Sequence, residues 1–251
     1  MTLTPEERRR YSRNIALSSF GQAGQEKLRS AKVTVIGAGG LGSPALFYLV
    51  AAGVGSVHII DADNIDTTNL QRQILYTENQ IGQPKASAAA SRLQQLNHSV
   101  SFSTSIKSIN EQNCEQMLQG SSFVLEGSDN FKTKFLVNDC CVRTGIPFAI
   151  GAITGYEGQV LAVRPEKDGC FRCIFNDVPA RETSCEFEGV IGSAAGVIGS
   201  LQATLAIQYL SGNESGFGYL HTLDMATWNF RKIKSPQPAC ATHDLPFYRQ
   251  T

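Results

Sequence analysis

The sequence predicts an α/β fold, a doubly wound and mostly parallel sheet continued by an antiparallel C-terminal half. Three observations carry this. Short β-branched, apolar runs alternate with helix-length segments over residues 31–155, the pattern that parallel βαβ units require. Beyond about residue 155, strand-like runs at 158–164 and 218–223 follow without intervening βα units. And 251 residues, 42% apolar, suffice for one large α/β core.

The elements follow in order. An N-terminal arm (1–30) opens at Thr4-Pro5-Glu6-Glu7, where Thr4 caps a helix, Pro5 takes its first position and Glu7 completes a capping box. That helix is expected to carry Arg10, Tyr11 and Arg13 out to a glycine-containing turn near Gly21. Strand 32–36, helix 41–52 and strand 57–61 form a compact βαβ unit. A helix over 84–96, strands at 99–103, 123–126 and 148–150, and a helix around 135–143 complete the first half (31–155). In the second half (156–251) a cysteine-bearing loop and an apolar helix near 194–209 lie between the two strand runs. This half is expected to pack on the first rather than fold alone, so the chain reads as one domain.

Several classes drop out. Twenty-two Lys+Arg balance 22 Asp+Glu, without the basic excess of a nucleic-acid binder. The longest apolar stretch, 45–54, is half the ~20 residues that cross a bilayer. The N-terminus lacks a signal-peptide pattern, so a cytoplasmic protein is expected. Seven cysteines, an odd number, do not form a disulfide framework. Cys140 and Cys141, in a helix, read as buried packing, and His58, His98 and His221 have no evident partners.

Gly37-Ala38-Gly39-Gly40-Leu41-Gly42 follows a strand and opens a helix, the Rossmann-like context in which glycines and helix amides approach phosphates. Asp61, 19 residues beyond Gly42 and at the end of the next strand, stands where a carboxylate accepts ribose hydroxyls. Alone this suggests a dinucleotide. Asn69-Leu70-Gln71-Arg72-Gln73 and then Lys85 supply fixed cationic and amide groups that suit a triphosphate with departing pyrophosphate. Asp129, in Ser128-Asp129-Asn130 after strand 123–126, lies at the carboxyl edge of the sheet. A carboxylate facing phosphates calls for a cation, and Mg²⁺ fits.

With these residues assembled, the chain resembles the ThiF/MoeB/HesA family of sulfur-carrier-activating adenylyltransferases, bacterial relatives of ubiquitin-activating enzymes. Arg10-Tyr11-Ser12-Arg13, the glycine turn, Asp61-Ala62-Asp63, the 69–73 segment, Pro84-Lys85, Ser128-Asp129-Asn130, the cysteine pair and Gly199 to Ala203 all fit the family pattern. The resemblance implies that ATP adenylates the C-terminal glycine of a small ubiquitin-like carrier ending in Gly-Gly. It further implies that Arg72 and Lys85 hold phosphates, that Asn69 and Gln73 orient them, and that Asp129 binds Mg²⁺. Asp61 and Asp63 would contact the ribose and its surroundings, with Gly37, Gly39, Gly40, Gly42 and Asn130 completing the nucleotide site. Arg13 matches an arginine that reaches the partner subunit's triphosphate, which implies a homodimer; without the resemblance it reads as a solvated helix charge.

Cys170-Phe171-Arg172-Cys173 has the spacing of half a zinc knuckle. The family's second C-x-x-C is replaced here by Cys240-Ala241-Thr242-His243, so the implied zinc site is Cys170, Cys173, Cys240 and His243, structural in role. Cys185 matches a cysteine used by some relatives for thiol transfer. The alternative is an unreactive loop thiol, since Glu182, Glu186 and Glu188 nearby raise a thiol pKa. No rhodanese-like extension is present, so a separate sulfur donor protein is expected. Competing readings are a relative adenylating a peptide or a tRNA modification, an NAD(P)-dependent oxidoreductase, and a catalytically silent scaffold. The choice between thiamine and molybdopterin pathways is not written in the chain.

Overall fold

The computed structural model describes residues 2–175 and 189–239. At the N-terminus the capping box forms: Thr4 Oγ1 accepts from Glu7 N and Glu7 Oε2 accepts from Thr4 N at 2.8 Å. The arm differs from the single expected helix. α1 (Pro5–Arg10) breaks at Tyr11, α2 is Ser12–Ile15, and Gly21 opens α3 (Gly21–Ser30) instead of closing the arm. The cause is a long-range lock. The Tyr11 ring fills the space above Gly53, where a Cβ would lie 2.4 Å from it, and Asn97 Nδ2 donates to its hydroxyl at 2.8 Å.

The remaining elements are β1 (Lys32–Ile36), α4 (Gly42–Ala52), β2 (Ser56–Ile60), α5 (Lys85–Leu96), β3 (Ser101–Ser105), α6 (Cys114–Leu118), β4 (Phe123–Glu126) and α7 (Phe131–Thr144). β5 (Phe148–Thr154), β6 (Glu157–Val163), α8 (Phe171–Ile174), α9 (Gly192–Ser211), β7 (Tyr219–Asp224) and β8 (Asn229–Lys234) complete the strands and α-helices of the described residues. The eight strands of the described residues form one sheet in the order β3-β2-β1-β4-β5-β6-β7-β8. β1 to β5 are mutually parallel; β6, β7 and β8 continue the sheet antiparallel. The predicted fold class is therefore the observed one.

Strands β1, β2 and β4 are buried on both faces, as parallel strands covered by helices must be. One apolar layer joins them to α4, α5 and α9, the other to α6, α7 and α8. Cys140 and Cys141 sit fully buried in the second layer, as expected. The chain leaves β1 toward β2 in one direction and reaches β4 on the other side. The crevice at the carboxyl ends of β1 and β4 is thus the switch point at which α/β sheets bind ligands.

Three further sequence expectations need correction. β5 runs to Thr154 rather than ending at residue 150, because it pairs with β6 over its whole length. β8 was not foreseen: each of its six residues is exposed, so no apolar alternation marks it. His58 and His221 do have partners. His58 Nδ1 lies 3.2 Å from the Met117 carbonyl and Nε2 2.8 Å from Ser105 Oγ, while His221 Nε2 lies 3.0 Å from the Gly216 carbonyl. Among the described residues no helix is long and apolar enough to cross a membrane.

Candidate active site

The glycine turn is shaped by close backbone approach. Gly37 has φ +84°, and a Cβ there would lie 3.0 Å from the carbonyl group of Gly127. At Gly42 a Cβ would sit 1.9 Å from the Gly37 carbonyl oxygen, so no other residue closes this turn. Gly37 N donates to Ile60 O at 2.9 Å, tying the turn to β2. Gly39 and Gly40 present bare backbone to a cleft of about 640 Å³.

Asp61, Asp63, Arg72, Gln73, Lys85, Asp129 and Asn130 line the same cleft. Asp61 is nearly buried; its carboxylate accepts from Ala38 N at 2.7 Å and Asp63 N at 2.9 Å. Burial pushes its pKa above the ordinary range, against the lowering effect of those two amides. Lys85 Nζ pairs with Asp63 Oδ2 at 2.9 Å. Arg72 Nη1 donates to the Thr68 carbonyl at 3.0 Å, bracing the guanidinium at the cleft wall.

Gln73 is buried, and its Oε1 has no hydrogen-bond partner. A buried acceptor left unmade costs about 1–3 kcal/mol, which a bound ligand relieves. With the side-chain-free glycine face beside it, this marks a seat for a polar ligand that carries a donor, and the ribose hydroxyls or the base amino group of a nucleotide supply one. Asp129 is exposed and makes no hydrogen bond or ion pair with the described residues, so its oxygens are available to a divalent cation at the cleft.

Not every predicted residue meets the cleft. Asn69 does not line it. Its Oδ1 accepts from Asp66 N and its carbonyl accepts from Arg72 N (3.1 Å) and Gln73 N (2.9 Å), so Asn69 builds the turn that presents those two side chains. Asn130 lines the cleft, but its Oδ1 caps α7 through Thr133 N at 2.8 Å. Arg13 is exposed on α2 and lies outside the cleft lining. Cys185, with Glu182, Glu186 and Glu188, falls outside the described residues, as do Cys240 and His243.

Cys170 and Cys173 bring their sulfurs to 3.8 Å. A tetrahedron with Zn–S bonds of about 2.3 Å has S···S edges of about 3.8 Å, so the pair fits one edge of a zinc site. Asn138 Nδ2 also reaches Cys170 Sγ at 3.5 Å. Among the described residues no group of three metal-ligating side chains assembles.

Sequence reasoning missed two supports. The Tyr76 hydroxyl donates to Ala38 O at 2.8 Å and lies 3.3 Å from Lys85 O, joining the 69–76 segment to the glycine turn. Burial holds its phenol far above the usual range. The second is a buried ion pair, Lys134 Nζ to Glu126 Oε2 at 2.7 Å, whose two members both hydrogen-bond Ser128, the residue before Asp129. A carboxylate ending an otherwise apolar strand was the only sequence signal for it.

A profile of the ThiF family matches residues 11–242. The sulfur carrier protein adenylyltransferase of Thermus thermophilus is 40% identical, covering all of this chain and 96% of that one. The adenylyltransferase and sulfurtransferase MOCS3 of Culex quinquefasciatus is 40% identical over 92% of this chain, which spans only 54% of MOCS3. In three dimensions the chain is similar to a crystal structure of Escherichia coli MccB with MccA-N7isoAsn, with a TM-score of 0.84 at 23% identity. That match covers 94% of this chain and 74% of the other, and it speaks for the fold. The chain therefore belongs to the ThiF family, a family of ATP-dependent adenylyltransferases.

Proposed function

We propose that the chain adenylates the C-terminal glycine carboxylate of a small ubiquitin-like sulfur-carrier protein, for sulfur transfer of the thiamine or molybdopterin type. The observation that carries this is convergence. Arg72, Lys85 and Asp129, from three separate segments, line one cleft with the glycine turn. The similarity to a named sulfur carrier protein adenylyltransferase over the whole chain supports the choice of acceptor.

A terminal carboxylate, pKa ~3.5, is already ionised at neutral pH and needs no general base. One of its oxygens attacks the α-phosphorus of ATP; the bond from that phosphorus to the bridging oxygen breaks. The products are the acyl-adenylate and pyrophosphate. Two anions must meet, so catalysis rests on neutralisation and alignment. Arg72 and Lys85 offset charge on the phosphates, Gln73 orients them, and Asp61 receives the ribose. Mg²⁺, held by Asp129, supplies further neutralisation of the phosphates when bound. Residues 31–155 serve the nucleotide and 156–251 the carrier and the zinc.

Arg13 is exposed and outside its own subunit's cleft lining, and the family resemblance of the 10–13 segment is what supports a homodimer in which it reaches the partner's triphosphate. Cys185 is assigned to thiol transfer after adenylation, and zinc to Cys170, Cys173, Cys240 and His243. The deciding experiment is ATP–pyrophosphate exchange with candidate carriers ending in Gly-Gly. Exchange that appears only with such a carrier is expected; carrier-independent NAD reduction, or silence with every carrier, overturns the reading.

A further inference from the structure

We propose that Lys134 is the positioning residue for Asp129. It holds the peptide that precedes Asp129 through a buried, fully satisfied pair with Glu126. The proposal rests on the assignment of Asp129 to Mg²⁺.

No side-chain contact with the described residues fixes the Asp129 carboxylate. Its direction is therefore set by the backbone of the four-residue loop 127–130 between β4 and α7. That loop is gripped at Ser128 from both sides. Glu126 Oε1 accepts from Ser128 N at 2.8 Å and also from its hydroxyl. Lys134 Nζ donates to the Ser128 carbonyl at 2.6 Å. That carbonyl shares a planar peptide with the nitrogen of Asp129, so holding it fixes the plane from which Asp129 departs. On the other side of the loop, Gly127 N donates to Ile36 O at 2.9 Å and Gly127 abuts Gly37. The Asp129 loop and the glycine turn are thus one packed unit.

The chemistry of the ammonium separates positioning from contact. Lys134 has three N–H donors, and all three are used: Glu126 Oε2 (2.7 Å), Ser128 O and Gly151 O (2.7 Å). It lines the cleft yet has no proton left for a ligand. Its side chain is 4% exposed and that of Glu126 fully buried. Such a pair is poor evidence for stability, because apolar residues of equal volume do as well. What apolar residues cannot do is hold both the amide and the carbonyl of Ser128.

The test uses the whole protein and titrates ATP by calorimetry at a series of Mg²⁺ concentrations, with no carrier present. Glu126→Gln and Lys134→Met are combined, so that no lone buried carboxylate remains. The double variant should keep a cooperative thermal transition and bind Mg²⁺-free ATP within twofold of wild type. It should require at least tenfold more Mg²⁺ for half-maximal enhancement of ATP binding. Lys134→Arg, which keeps the charge but cannot send three donors from one nitrogen, should show a smaller rise of about threefold; it carries the test alone if the double variant does not fold. Added to Asp129→Asn, these changes should cost nothing further. An unchanged Mg²⁺ requirement, or losses that multiply with Asp129→Asn, overturns the proposal. A requirement indifferent to Asp129→Asn itself overturns the assignment of Asp129 and this proposal with it.

Discussion

Lys85 and Asp63 meet at 2.9 Å from opposite environments: the lysine side chain is 7% exposed and the aspartate 72%. Water screens the exposed carboxylate, while the ammonium is largely desolvated and lines the cleft. The proposed reaction uses the ammonium of Lys85 and not the exposed carboxylate of Asp63, so the two residues should respond differently to mutation. Lys85→Met preserves volume and removes a mostly buried charge. It should lower pyrophosphate exchange by about 10²–10³, the scale of losing one preorganised charge-stabilising donor, with the melting temperature within a few degrees of wild type. Asp63→Ala should cost less than tenfold. Exchange rates and thermal melts check both; equal losses at the two positions would mean that the pair acts as a unit.

Arg13 and Asp129 test the shared site. Asp129→Ala removes no packing, so the protein should melt like wild type while losing exchange. Arg13→Ala should be equally inactive and equally folded. Mixed and reassembled dimers would hold one site with both residues intact and one with neither, and some activity should return. No recovery despite confirmed subunit exchange would place Arg13 in cis or outside the reaction.

His58 predicts a pH dependence of folding. Burial lowers its pKa, opposed by the Met117 carbonyl and reinforced by Lys32. The folded protein therefore binds fewer protons here than the unfolded chain near and below pH 6.5. Stability from this group is full above that value and is lost as pH falls through it toward the depressed native pKa. The slope should be no steeper than about 1.4 kcal/mol per pH unit, one proton's worth. His58→Gln, which keeps a donor and an acceptor but does not titrate, should flatten urea-unfolding stability between pH 7.5 and 5. A wild-type profile already flat across that range would refute the assignment.

What could be read from sequence divides along physical lines. The glycine turn, Asp61 and the alternating elements were legible because local rules govern them: tight turns need glycine, and buried parallel strands need continuous apolar runs. Tyr11 breaking the N-terminal helix was not, because its cause lies at Gly53 and Asn97. β8 carries three basic residues and no buried face, so backbone pairing to β7 alone makes it a strand. Glu126 stands out as a carboxylate ending an apolar strand, but its pairing with Lys134 appears only once the fold buries both. Asn69 shows the same limit in the site itself: its motif was visible, but its work in shaping the turn beneath Arg72 and Gln73 appears only in three dimensions.

The last prediction concerns the zinc. Cys170 and Cys173 already stand at the S···S separation of a tetrahedral edge, and Cys240 and His243 are assigned the opposite edge. Thiolates and neutral imidazole are all competent ligands near pH 7, and four protein ligands would leave no open position, so a zinc held by this set would be structural. One zinc per subunit should survive purification without chelator. Imidazole protonates at pKa ~6.5, but bound metal competes with the proton, so release should begin only at clearly acidic pH. His243→Ala should weaken zinc retention and thermal stability while leaving ATP affinity nearly unchanged, and His243→Cys should restore a four-thiolate site that keeps the metal. Elemental analysis decides the matter: well-folded wild type without zinc would end the claim. Zinc retained by His243→Ala as firmly as by wild type under chelator challenge would put the fourth ligand elsewhere.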